Sequence, residues 1–407
     1  MLIDRQQNHI AHHLLTLYAL GCDAATIKHH YINNKSYQRP NQPIHDKVIQ
    51  EMHDPAKFQK FLGQEDYYHD YLVFFQSEID AKGWPAVINE YCFARDERSD
   101  DMLVRLFSGF LHPLIHLGFG IEFKQPAIIA EALAQAAVHD NWIRPLYFES
   151  EKGATTKKEE NQKPKSLVKL LDEIHDDEIL RSAPHWEDGN KIRDGILKRA
   201  PDQMIHYLSQ FWIEKRSEQE LERKTAEMID AAVYYTTGAQ RPPKIVKIDF
   251  YFMHCVNCSI FFPTFLRQDW LKLEDKARLL EWKARTDLAM YASRKCPDIL
   301  VDEVVNYKPK ISPRDENKPW AEIFERVKRK EDDGHSAKFV RALAHGKHFC
   351  KKYELSEGDE FKIKGDMWDK VGHMAIDSVE DSGATWARSV GFDDAWREFT
   401  NRPSAML

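Results

Sequence analysis

The 407-residue chain has no Gly-x-Gly-x-x-Gly after a strand-like run, no Walker loop and no Gly-x-Ser-x-Gly elbow. A dinucleotide on a Rossmann unit, a P-loop phosphate cradle and an α/β-hydrolase nucleophile therefore have no place in it. Glycine is scarce, at 17 residues, and runs of strict apolar-polar alternation are nearly absent, so sheet-built folds have little to stand on. Apolar runs such as Phe250-Tyr251-Phe252-Met253 and Ile260-Phe261-Phe262 fall far short of the roughly 20 residues that cross a bilayer. No membrane anchor is expected. Six cysteines spread along the chain (22, 92, 255, 258, 296 and 350) lack the density and spacing of a disulfide framework and should be free thiols. Charge is nearly balanced, with 58 Lys plus Arg against 65 Asp plus Glu for a net −7, which disfavours a nucleic-acid footprint. Met1 to Arg5 lead straight into a polar, His-rich segment rather than a secretory signal, and a cytoplasmic location is the expectation.

What remains is helical periodicity. Residues 5–20 carry Ile10, Leu14, Leu17 and Tyr18 on one stripe. Helical patterns recur at 66–82, 101–117, 166–175, 203–235, 247–262, 269–293, 336–352 and 366–380. Residues 125–139, with Pro126 near the start and six alanines, form the strongest of them. The predicted architecture is all-α or nearly so: a single large multi-helix domain over 1–407, since no long Gly/Ser linker divides it. Residues 31–45 are rich in turn formers. Two polar stretches, 150–166 and 306–336, are expected to be mobile loops, the first either a lid or an insertion.

Histidine is the chemically suggestive residue. His112 and His116 stand four apart among Leu111, Leu114, Ile115 and Leu117, so on a helix both imidazoles face one metal ion from an apolar setting. Two core histidines bonded to carbonyls would show the same pattern. His13 falls on the inward stripe of the first helix and is the candidate third ligand, ahead of His9. His254 sits amid aromatics in Phe250-Tyr-Phe-Met-His-Cys-Val-Asn257, the floor of a flat apolar pocket. His345 and His348, three apart, are a reserve. Cys255-x-x-Cys258 has no second pair and reads as buried free thiols. Lys370 lies between Met367 and Met374 on an apolar stripe. A buried amine there would be neutral, and carbon dioxide would convert it to a carbamate that binds metal as a carboxylate does. The alternative is that it snorkels to the surface. No carboxylate completes a 2-His-1-carboxylate pattern, and a largely imidazole donor set suits iron, copper, nickel or zinc. Glu131, Gln135 and His139, four apart, are candidates to orient substrate hydroxyls.

The segments Asn8-His9-x-x-His12-His13-Leu-Leu-Thr-Leu-Tyr-Ala-Leu-Gly21, Ser108-Gly-Phe-Leu-His-Pro-Leu-Ile-His-Leu-Gly-Phe119, Gln125-Pro-Ala-Ile-Ile-Ala-Glu-Ala-Leu-Ala-Gln135, Phe252-Met-His-Cys-Val-Asn257 and Ala384-Thr-Trp-Ala-Arg-Ser-Val-Gly-Phe-Asp-Asp-Ala-Trp396 together resemble the questin oxidase-like family over nearly the whole chain. The resemblance implies use of dioxygen on an anthraquinone-type aromatic polyketide, a small-molecule partner, with a ring-opening, Baeyer-Villiger-like outcome. With it, the expected enzyme is a non-haem iron oxygenase in which His13, His112, His116, His254 and Lys370 hold the metal. Two rivals stay open: a metal-free, NADPH-dependent monooxygenase with histidines as acids and bases, and a non-catalytic helical binding protein.

Overall fold

The computed structural model describes residues 8–38, 42–215, 217–312, 314–315, 318–355, 358–381 and 383–403. Among them there are 21 α-helices and no strand, only two isolated bridges, Lys244 with Asn401 and Asp249 with Ala387. The all-α expectation holds. Thirteen helices position the site: α1 (His9–Ala19), α2 (Ala24–Asn34), α3 (Tyr68–Lys82), α4 (Glu97–Leu106), α5 (Ser108–Glu122), α6 (Pro126–Val138), α7 (Arg144–Glu159), α8 (Glu218–Gly238), α9 (Phe250–Ser259), α10 (Leu273–Ser293), α11 (Pro319–Lys328), α12 (His335–Cys350) and α13 (Met367–Glu380).

Helix α6 is apolar on almost every side and is accordingly a core helix, with Ile129, Ala130, Leu133, Ala134, Ala136 and Ala137 fully buried between α3 and α5. Close approach of α5 rests on missing side chains: a Cβ on Gly118 would stand 2.2 Å from the Phe261 ring, and one on Gly120 would stand 2.6 Å from Ile129. Helices α4 and α5 meet at 96°. At the junction Gly109, Phe110 and Leu111 all take positive φ (54°, 56° and 69°), and Pro113 follows. Left-handed backbone at two bulky residues costs roughly 1–2 kcal/mol each, so the surrounding packing holds this turn in place. Among the described residues, no single helix is long and apolar enough to cross a membrane.

The two polar stretches fold differently from the sequence expectation. Residues 150–159 continue α7, and only 160–166 are irregular. Lys, Glu, Ala and Thr there are adequate helix formers. One face carries Ser150 and Ala154 inward, while Glu151 binds the Arg278 guanidinium and the Trp282 indole N–H. Low apolar content described a surface helix, not a loop. Within 306–336, α11 forms, and the stretch ends on the first turn of α12. Patterns at 101–117, 203–235 and 247–262 are each divided into two helices. All six cysteines are free.

A candidate metal centre and the adjoining cavity

Helices α1, α5, α9 and α12 converge on a group of buried histidines. The His9 ring stacks on His112 (5.1 Å between centroids) and meets His335 edge-on (4.7 Å), while His254 lies 4.7 Å from His112 and 5.0 Å from His335. Ligand atoms of His9, His112 and His335 all fall within 4.8 Å of one another, and His254 Nε2 stands 3.2 Å from His335 Nε2.

Partners outside the group fix which nitrogens face inward. His112 Nδ1 donates to the Gly109 carbonyl at 2.6 Å, and His254 Nδ1 donates to the Phe250 carbonyl at 2.6 Å. His335 Nδ1 is 2.5 Å from the Asp333 carboxylate, which also pairs with His9 Nδ1 at 3.1 Å. Carbonyls and carboxylates only accept, so the neutral rings of His112, His254 and His335 carry their hydrogen on Nδ1 and present an Nε2 lone pair. Two such lone pairs therefore oppose one another at 3.2 Å between His254 and His335, and a third, His112 Nε2, is buried with no partner. A proton could bridge the pair, but charge is disfavoured. Burial pushes His9 down to about 4 and drives His12, His112 and His254 well below the usual imidazole value, with neighbouring histidines adding repulsion. Burial also lowers His335. A metal ion satisfies the lone pairs without a proton. With metal–nitrogen bonds of about 2.1 Å, two ligand nitrogens sit roughly 3.0–3.4 Å apart, and outward carbonyl and carboxylate partners are the usual second shell of ligating imidazoles.

The lysine of the group is Lys338, one turn beyond His335 on α12. It is buried, its side chain makes no hydrogen bond or ion pair with any described residue, and burial lowers its pKa to about 8. Its charge disfavours protonation of six histidines, 9, 12, 13, 112, 254 and 335. Gly334, at φ +89°, starts α12 so tightly on α1 that a Cβ there would lie 2.6 Å from His13 Cβ. That contact delivers His335 and Lys338.

A second chain of groups leads away from the cluster. Glu131 Oε2 accepts from His116 Nε2 at 2.9 Å, leaving His116 Nδ1 to accept from His12 Nε2 at 2.8 Å. His12 Nδ1 is then a buried, unpartnered acceptor. Burial alone would raise Glu131, but the hydrogen bond and charge of His116 hold it below the usual carboxylate range.

Several candidates named from sequence lie elsewhere. Lys370 Nζ bonds the Val305 carbonyl (2.7 Å) and Asp366 (2.9 Å) at the surface end of α13. A flexible four-carbon stem lets a lysine on an apolar stripe reach out of the core, so it takes no part in the cluster. His13 is inward but turned toward α2, with Nδ1 2.7 Å from Asn34 Oδ1 and its ring against His30. His116 has both nitrogens engaged by His12 and Glu131 and is not a cluster member. His345 stacks on Phe349, away from α1 and α9. His139 Nδ1 donates to the Gln135 carbonyl, and the residue lines the cavity described next; Gln135 turns toward His116. His112 and His254 are where the sequence placed them. On α1 it is His9, ranked behind His13 from the sequence, that joins the cluster, and His335 and Lys338 were missed. The signal for the last two was Asp332-Asp333-Gly-His335-Ser-Ala-Lys338-Phe, where a loop gives way to a buried helix.

Against the strained turn lies a cavity of about 640 Å³ walled by Phe107, Phe110, Trp142, Trp186, Tyr251 and Met290. Gly109, whose carbonyl holds His112, is part of the same wall. The Phe110 ring touches Tyr251 (4.8 Å) on the cavity side and lies 6.2 Å from His254 on the cluster side. It separates the two spaces.

A family profile described as Questin oxidase-like matches residues 6–343. The chain is 41% identical over 394 residues to Baeyer-Villiger monooxygenase dmxR6 of Cryptosporiopsis sp. (strain 8999), covering 96% of this chain and 87% of that one. It is 37% identical over 399 residues to a questin oxidase of Aspergillus fumigatus, covering 96% and 87%. Oxidoreductase AflY of Aspergillus parasiticus is 40% identical over 385 residues, covering 94% and 76%.

Proposed function

The chain belongs to the questin oxidase-like family of oxidoreductases, and we propose that it is a dioxygen-dependent, non-haem iron oxygenase acting beside a ring carbonyl of a fused-ring aromatic polyketide. The observation that carries the metal reading is the unpaired His112 Nε2 beside two opposed Nε2 atoms, those of His254 and His335. His9, His112, His254 and His335 would hold the ion. Bound there, it supplies the redox capacity that dioxygen needs to react with a closed-shell aromatic.

The chain's own groups do the rest. Gly109, Phe250 and Asp333 lock the imidazoles in the tautomer that donates inward. The carbamate reading reached for Lys370 on pattern applies to Lys338 on position. The lowered pKa leaves a larger share of neutral amine, which adds carbon dioxide and releases a proton, so a cation that repels the histidines becomes an anionic oxygen donor. His12, His116 and Glu131 form a proton path: a proton taken up at His12 Nδ1 leaves at Glu131, which is 25% exposed. The aromatic and Met walls of the cavity stack on a flat ring system and exclude water.

Insertion of Baeyer-Villiger type places one dioxygen atom in the ring and reduces the other to water with two electrons and two protons, for which NADPH is the reductant. Cleavage with both atoms retained needs none. Turnover of a hydroxyanthraquinone under ¹⁸O₂, with NADPH oxidation followed in parallel, separates the two and tests the oxygenase reading. Turnover undiminished in metal-stripped protein would identify a metal-free monooxygenase. No oxygen uptake by metal-loaded protein with any hydroxyanthraquinone would leave a binding protein.

A further inference from the structure

The cavity beside the cluster is built unlike a purely apolar slot, because cations gather along its wall. Arg294, at the C-terminal end of α10, is buried, lines the cavity and pairs with no carboxylate among the described residues. Among the described residues its guanidinium hydrogen-bonds only the Met290 sulfur, at 3.6 Å, and its Nε is buried without a partner. The guanidinium carbon lies over the Tyr251 ring, 3.7 Å from the centroid. Arg388, also on the wall, stacks 4.0 Å over Phe250 and likewise has no carboxylate partner. Lys191 completes the group, its ammonium donating to the His185, Trp186 and Asp188 carbonyls. Arg388 disfavours the charge of Arg294, and Arg294 that of Lys191, so the three form one region of like charge.

The nearby acids offset it only in part, Asp249 favouring the charge of Arg294, and Asp188 and Glu187 that of Lys191. Asp249 spends its carboxylate on the backbone N–H groups of Tyr251, Phe252 and Val390. Asp188 is held by Arg199. Glu65 and Asp140 act instead on His139. A buried guanidinium with an orphaned Nε is costly unless an anion arrives, and planar guanidinium is the group suited to receive an acidic oxygen in a flat, aromatic-lined site.

We propose that this cavity binds the substrate as an anion, a flat fused-ring aromatic whose acidic oxygen, carboxylate or phenolate, is received by Arg294 and Arg388 while its rings stack between the aromatic walls. Phe110 then separates the bound ring system from the histidine cluster. The choice of a fused-ring aromatic rests on the oxygenase reading; the preference for an anion does not.

The test is binding to the as-purified protein under anaerobic conditions, followed by tryptophan quenching, so that neither turnover nor oxygen enters. Anthraquinone-2-carboxylate is compared with its carboxamide. The acid should bind at least about tenfold more tightly, Arg294→Gln should bring the two close to equal, and Arg294→Lys should restore part of the preference. Arg388→Gln, at an exposed position, should lower it to a smaller extent. A carboxylate preference identifies that ligand form. If bound 2-hydroxyanthraquinone ionises at lower pH than in water, read from its visible band, the phenolate is identified. Equal affinity of wild-type protein for acid and amide, together with unshifted phenol ionisation, overturns the proposal without reliance on any variant. Anion preference with no oxygen uptake would instead overturn the oxygenase reading alone.

Discussion

Acidifying the chelator-treated protein should unfold it well before ordinary acid denaturation. In the unfolded chain each histidine titrates near 6.5. In the folded state His9 is pushed down to about 4, and His12, His112 and His254 lie well below 6.5 because burial excludes the charge. Below pH 6.5 the unfolded chain therefore binds protons that the folded chain refuses, and stability falls as pH falls. At pH 5.5 each such ring costs about 1.4 kcal/mol, and the four together roughly 6 kcal/mol. A domain holds only about 5–15 kcal/mol in all, so the loss is a large share of the total. Urea midpoints followed by far-ultraviolet circular dichroism should be flat from pH 8 to 7, then fall steeply between 6.5 and 5.5. His12→Phe and His254→Phe should each flatten the slope, whatever their effect on stability at pH 8. A midpoint independent of pH over that range would refute the claim that the cluster is held neutral.

Asp333→Asn should weaken metal retention about 10- to 100-fold, measured by competition with a chelator, since it loosens both His335 and His9. Lys370→Ala should leave turnover unchanged and cost less than about 1 kcal/mol, because it removes only an exposed ion pair and a carbonyl contact. Glu151→Ala should lower stability by about 2 kcal/mol in urea titration, leaving the Trp282 indole N–H without its acceptor and Arg278 with Asp100 alone; no loss would return residues 150–159 to the status of a dispensable loop.

Helicity and the inward histidines of α5 and α9 were readable because His112 and His254 sit inside long apolar patterns whose period alone sets their face. His335 and Lys338 were not, since they follow Lys328 to Asp333, a run so charged that local composition describes a loop. Only the packing of α12 on α1, through Gly334 and His13, buries them. On α1, His9 and His13 share a face by spacing, and the direction of approach of α2 and α12 decides between them. Lys370 and Lys338 illustrate the same limit: both stand on apolar stripes, but one stem reaches the surface and the other has nowhere to go. Residues 150–159 erred in the opposite direction, because polar composition cannot tell a solvated helix face from a loop.

The most direct test of the oxygenase account is the metal content of protein purified without chelators, measured together with oxygen consumption. Stoichiometric iron is predicted, lost in His112→Ala and in His254→Ala and largely retained in His345→Ala, with oxygen uptake on a hydroxyanthraquinone tracking the iron. Wild-type protein free of metal that consumes oxygen at the full rate would contradict it.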